Sequence, residues 1–191
     1  MYIQSMKTIL KITKNELSTL FYSPIAWLIL IIFTFQSGMA YAEAWADALR
    51  SQALGYTVYG ATERLLLGWS GAISSMQEHL YLYIPLLTMG LMSQEYNRGS
   101  IKLLYSSPVT NKQIIFGKYL SMIIYALILV AILFIYYAFT AFTIKAIDTP
   151  FVMTALLGIF LMICAYAAIG LFMSSLTSYQ VVAAVGTLAI L

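Results

Sequence analysis

Between Lys118 and Lys145 the chain carries no charged residue. A helix needs roughly 20 residues to cross the hydrocarbon core of a bilayer. Tyr119 to Ile144 exceeds that length, so it predicts a span that tilts or projects beyond the membrane. In hydrocarbon, backbone N–H and C=O groups must be satisfied within the segment, which leaves an α-helix as the form of such a run. Comparable runs occupy residues 25–41, 76–94 and 151–173, and a shorter one, 181–191, stands at the C-terminal end. Hydrophobic residues make up 62% of 191 positions and charged residues only 9%, against about 25% charged in a soluble domain. The expected fold is an all-α integral membrane protein, a polytopic helical bundle.

The last run is too short to span, and its final carbonyls would lie unsatisfied in hydrocarbon. The expectation is a single membrane domain over residues 1–191 that is incomplete at its C-terminal end. Ala40-Tyr41-Ala42 has the small-x-small form of a signal cleavage site, but the apolar run before it is longer than an ordinary signal core of about 7–15 residues. The first helix is therefore read as retained.

Orientation follows from basic residues, which stay on the cytoplasmic side. Lys7, Lys11 and Lys14 precede the first span, and Arg98, Lys102, Lys112 and Lys118 lie between the second and third. Only Arg50, Arg64 and Lys145 fall on the opposite side. This places the N-terminus and residues 95–118 in the cytoplasm. Residues 6–22 show helical periodicity, with the lysines on one face and Met6, Ile9, Leu10, Leu17 and Leu20 around the rest. They predict a basic amphipathic helix along the membrane surface, bending at Ser23-Pro24. The loop from Ala42 to Ser75 offers Tyr41, Trp45, Tyr56, Tyr59 and Trp69 to the headgroup layer.

A net charge of +3 is too small to indicate nucleic acid, and the lone cysteine, Cys164, excludes an intrachain disulfide and a thiolate metal site. His79 is the only histidine; beside Glu78 it reads as a polar pair at a membrane edge. Catalytic, metal and cofactor-binding residues are not expected. Gly117-Lys118 looks superficially like part of a phosphate-binding loop. However, Lys112 stands where the first glycine is needed and Tyr119 where a Ser or Thr is needed.

The most informative stretch is the polar island QEYNRGSIKLLYSSPVTNKQIIFGK, from Gln94 to Lys118. The second span is expected to run on to Tyr105, with Gly99 tolerated, and to stop at Ser106-Ser107-Pro108. Thr110-x-x-Gln113 is a capping box that starts a new helix at Asn111. The island is then a helix–turn–helix suited to receiving another protein.

The order of Glu95, Gly99-Ser100, Leu103-Leu104, Pro108-Val109-Thr110 and Gly117-Lys118 resembles the cytoplasmic loop of ABC-2-type transporter permeases. The surface helix before the first span is similar to that family's connecting helix. Within the family, the permeases associated with gliding motility in Bacteroidetes are the most similar subgroup. Lys102 departs from the pattern, which often has an acidic residue there.

The resemblance implies six transmembrane helices, of which about five are present here. It further implies an ATP-binding cassette transporter of the bacterial inner membrane, in which this chain is the permease and a separate cytoplasmic ABC ATPase binds ATP and Mg. A second permease copy or a related permease would complete the pair, surrounded by membrane lipids. The implied ATPase-coupling residues are Glu95, Arg98, Gly99, Ser100, Leu103, Leu104, Pro108, Thr110, Gly117 and Lys118. Two other readings remain at this point: a non-transporting anchor for an extracytoplasmic domain, and an ion-coupled secondary transporter. The spans at 25–41, 119–144 and 151–173 hold no acidic residue, which counts against the latter. Ala167, Gly170 and Ser174 line one helix face, fit either for packing within the chain or for a seam between copies.

Overall fold

A computed structural model describes residues 2–54, 63–68, 71–100, 109–144 and 148–191, without the side chains of 2–5, 63 and 64. The described elements are helices: α1 (Tyr2–Tyr22), α2 (Pro24–Ala53), a π-helical turn (Glu63–Leu67), α3 (Ala72–Thr88), α4 (Ser93–Arg98), α5 (Asn111–Thr143), α6 (Thr149–Leu176) and α7 (Gln180–Ile190). The protein is an all-α polytopic membrane protein. Helices α2, α5 and α6, of 30, 33 and 28 residues, are long and apolar enough to cross a membrane. At about 1.5 Å per residue each exceeds the roughly 30 Å hydrocarbon core.

The helices contribute to two compact units. One comprises Met1–Leu28, Tyr81–Ala126 and Ile163–Leu191; the other comprises Ile29–Leu80 and Leu127–Met162.

In the first unit, α1 meets α2 at an elbow. Ser23 Oγ accepts the N–H of Ile25 at 3.3 Å, so Ser23 caps α2 and Pro24 occupies the first helical position, where its missing N–H costs nothing. Trp27 Nε1 reaches back across the bend to donate to Phe21 O at 2.8 Å, and Tyr125 of α5 donates to Ala26 O at 2.8 Å. The elbow is thereby fixed by the side chains of Ser23 at the bend, Trp27 of α2 and Tyr125 of α5.

The expected continuous helix over 76–94, running on to Tyr105, is interrupted twice. α3 stops at Thr88, the chain turns, and the six-residue α4 stops at Gly99, whose φ of 70° is the left-handed region that a side chain resists. Glycine here ends the helix that the sequence pattern alone lets run on. Residues 101–108, including the expected stop at Ser106-Ser107-Pro108, lie outside the described residues.

The first interruption needs partners for its freed backbone, and α6 supplies them. Ser174 Oγ accepts the N–H groups of Met92 (3.0 Å) and Ser93 (3.1 Å) and donates to Met89 O (2.9 Å). One donor and two acceptor sites are all that a hydroxyl has, and each is used. Ser93 Oγ also donates to Met89 O. Close approach of α6 to α3 depends on Gly170, where a Cβ would sit 2.1 Å from Thr88 Oγ1. Ala167 and Ser174 are buried. The small face of α6 is thus spent on packing within the chain.

In the second unit α2 continues through Glu43 to Ala53, so the first span carries on as a helix into the stretch that follows it. Tyr41, expected in the headgroup layer, is buried against other residues of the chain. Its hydroxyl lies 2.7 Å from Thr140 Oγ1, and its ring packs against Tyr136 at 5.1 Å and Trp45 at 6.3 Å. The apolar run conceals a cross-helix aromatic cluster, because hydropathy does not report which face meets protein. Tyr56, Tyr59 and Trp69 lie outside the described residues. Leu65 and Leu66 of the π-helical turn are buried, and a Cβ on Gly71 would collide with the Leu66 backbone. His79 Nδ1 lies 2.6 Å from Ser75 O, one turn back on α3.

Removing the Ser174 hydroxyl leaves two buried amides and a carbonyl without that partner. Ser174→Ala is expected to lower unfolding stability in detergent micelles by about 1–3 kcal/mol, measured by reversible denaturant titration. Ser175→Ala, at a half-buried neighbour whose hydroxyl bonds only within its own helix, should be close to neutral.

Candidate coupling site

Gly117 and Lys118 together organise the start of α5. A Cβ on Gly117 would come within 2.6 Å of Ile12 Cγ2, so only glycine allows α1 to lie this close. The contact is sealed by Thr13 Oγ1, which is buried and 3.1 Å from Gly117 O. With α1 drawn in, its one acidic residue faces Lys118.

Lys118 is 1% exposed. Its Nζ donates to Glu16 Oε1 of α1 at 2.8 Å and to Glu95 Oε1 of α4 at 2.7 Å. Three elements far apart in sequence therefore converge on one ammonium. A buried charge is tolerated when paired and hydrogen-bonded, and here the pairing is double. With both carboxylates ionised, the trio holds one negative charge in excess. Glu95 Oε2 is buried without a hydrogen-bond partner. Burial pushes the Glu16 carboxyl above its ordinary value, against the attraction of Lys118, and the Glu95 charge raises it further.

The remaining residues expected to act in coupling occupy distinct places. Arg98 ends α4 and is exposed; Gly99 is its left-handed cap, with its N–H bonded to Tyr96 O at 3.2 Å. Ser100 Oγ donates to Glu95 O at 3.4 Å. The Thr110 N–H donates to Gln113 Oε1 at 3.0 Å, the backward arm of the capping box at the head of α5. Leu103, Leu104, Pro108 and Lys102 lie outside the described residues. Thus Glu95 and Lys118 touch, Gly117 lets α1 bring Glu16 to the same ammonium, and Arg98 lines a cavity.

Glu16 was missed by sequence reasoning. A signal for it existed: Ile9, Thr13, Glu16 and Leu20 fall at i, i+4, i+7 and i+11, one helical stripe opposite the lysines. A lone acid on the buried-facing stripe of an otherwise basic helix calls for a cation on a neighbouring element.

A family model described as "ABC-2 family transporter protein" matches residues 10–191, nearly the whole chain. The chain belongs to that family. It is a multi-pass membrane protein. A stretch of 54 residues is 37% identical to "Uncharacterized protein YhcI" of Bacillus subtilis (strain 168). That stretch covers 28% of this chain and 17% of the relative, so the chain matches only a small part of that protein's length. No solved structure matches.

Lys118→Met leaves two half-buried carboxylates without their shared cation and is expected to destabilise by roughly 3–5 kcal/mol. Replacing the trio at once by Glu16→Leu, Glu95→Leu and Lys118→Met should restore stability to near the parent or above it. Unfolding curves of the two variants in one detergent check this. The raised Glu16 value also fixes a pH dependence. The folded state binds the proton more tightly than the unfolded state. The Glu16 contribution is therefore present below the unfolded value, about pH 4.3 for glutamate, and is lost as pH rises through the folded value. Glu16→Gln should flatten that segment of the stability–pH curve, read as melting temperature against pH.

Proposed function

We propose that this chain is the permease subunit of an ATP-driven exporter of the bacterial inner membrane, with its N-terminus in the cytoplasm. The ATP and Mg would be held by a separate ABC ATPase docked on residues 95–118. The observation that carries the reading is the junction at Lys118, taken with family membership over residues 10–191. A segment that merely connected two spans would not need a buried ammonium tied to both flanking elements. A segment that receives force does, because load applied at α4 must pass to α1 and α5 as one body. In this reading ATPase closure displaces α4 and the head of α5, and the spans following them open a path beside a second permease copy or a related permease. Leu103 and Leu104 supply the apolar contact to the ATPase, Arg98 and Ser100 flank it, Gly99 and Pro108 set the bends, and Thr110 starts the helix that transmits the movement.

The test is purification of the full-length protein from native membranes in mild detergent, with identification of what accompanies it. A Walker-bearing ATPase that is lost when Leu103 and Leu104 become Asp is the expected outcome. Its ATPase activity should persist but lose dependence on the permease in Gly99→Val. Recovery of the permease alone, even after crosslinking, would sink the proposal.

A further inference from the structure

Beneath the α1–α2 elbow the first unit encloses a half-open cavity of about 390 Å³, within the size range of small-molecule sites. Its lining is divided by chemistry. Glu16, Arg98, Gln94 and Gln180 are among its polar lining residues, with Gln94 and Gln180 both beside Gly90, and Leu87 and Leu91 are among its apolar ones. Ile25 and Leu86 also line it and are exposed, which carries the apolar wall out onto the lipid-facing surface. Its depth is set by the chain: α1 is the amphipathic surface helix, and Ser23-Pro24, where α2 enters the membrane, forms part of the lining. With α1 lying along the membrane surface, this lining stands near the headgroups.

The two charges in this lining have opposite sign and are not spent on each other. Glu16 bonds Lys118 through Oε1, and Arg98 makes no ion pair or hydrogen bond among the described residues. A guanidinium is a fork matched to phosphate oxygens. A carboxylate sharing one lining with two glutamine amides suits a group that donates several hydrogen bonds, as a primary ammonium does. A quaternary ammonium donates none and is held by aromatic faces; Tyr22 is the one aromatic residue in the lining.

We propose that this cavity binds one phospholipid whose headgroup is a zwitterion with a primary ammonium, a phosphoethanolamine lipid. Its phosphate lies on Arg98, its ammonium on Glu16, and an acyl chain runs out over Ile25 and Leu86. The inference rests on neither the ATPase nor the transported substrate. The lipid is a resident of the elbow, seated against the helix that carries Glu16.

The test is native mass spectrometry of the full-length protein in mild detergent, titrated separately with dioleoyl phosphatidylethanolamine, phosphatidylcholine and phosphatidylglycerol. The readout is the fraction carrying one lipid. Phosphatidylethanolamine should bind at least about tenfold more tightly than the other two, the worth of one charge-assisted hydrogen bond. Arg98→Gln, at an exposed position, should weaken all three. Glu16→Gln should abolish the preference over phosphatidylcholine while leaving phosphate binding in place. Equal occupancy by the three lipids, unchanged in Arg98→Gln, would mean ordinary surrounding lipid and would overturn the proposal. Displacement of the lipid by soluble phosphoethanolamine at millimolar concentration would overturn it too, by removing any part for the apolar wall. Should Glu16→Gln fail to fold, Gln180→Ala, on α7, supplies the second arm with an expected partial loss of the preference.

Discussion

One buried ammonium fixes the arrangement of the N-terminal helix, the short α4 and the head of α5. Lys118 is shielded from water, and a charge so placed is costly to leave unpaired. Its two carboxylates come from positions 102 and 23 residues away in sequence, so satisfying the ammonium specifies where α1 and α4 must lie. Gly117 is the geometric precondition, because any side chain there would hold α1 off and pull Glu16 out of range. The Gly-Lys pair is one device: the glycine admits the helix and the lysine selects its register. Such a trio contributes more to specifying position than to net stability, since a well-packed apolar substitute is often as stable.

A second constraint acts on the backbone. A helix broken inside packed protein leaves buried N–H and C=O groups that need partners. The break between α3 and α4 is possible because Ser174 meets it with every hydrogen-bonding site it owns. Gly170, one turn earlier on α6, lets the hydroxyl come near enough by accepting the Thr88 side chain. The break in turn frees α4 to set its own direction, and that direction brings Glu95 to Lys118.

Sequence alone carried the class of the fold, because uncharged runs of spanning length admit one backbone solution in lipid. It also carried the order Glu95, Gly99, Gly117, Lys118 as a pattern. What it did not carry was pairing. Hydropathy scores Tyr41 as interfacial and Ser174 as a small packing residue; neither the Thr140 partner of the first nor the backbone partners of the second can be read from one helix. Gly99 illustrates the limit further. A glycine inside a helical pattern is tolerated at a cost of about 1 kcal/mol, so only the observed φ distinguishes a tolerated residue from a stop. Glu16 was legible in principle, but a single acid among three lysines reads as surface charge until a buried cation is known.

The use of ions rather than apolar contacts at this junction has a mechanical consequence. Attraction between unit charges scales inversely with the local dielectric, so admitting water to a dry pair weakens it several-fold over a small displacement. Apolar contacts weaken gradually, in proportion to the area uncovered. A junction made of Glu16, Lys118 and Glu95 therefore holds firmly while dry and releases sharply once wetted. Its excess negative charge biases it toward release, since the second carboxylate is desolvated without an ammonium of its own. Under the proposed function, that response suits an element that must move as one with α1 and α5 under small loads and yield to a large one.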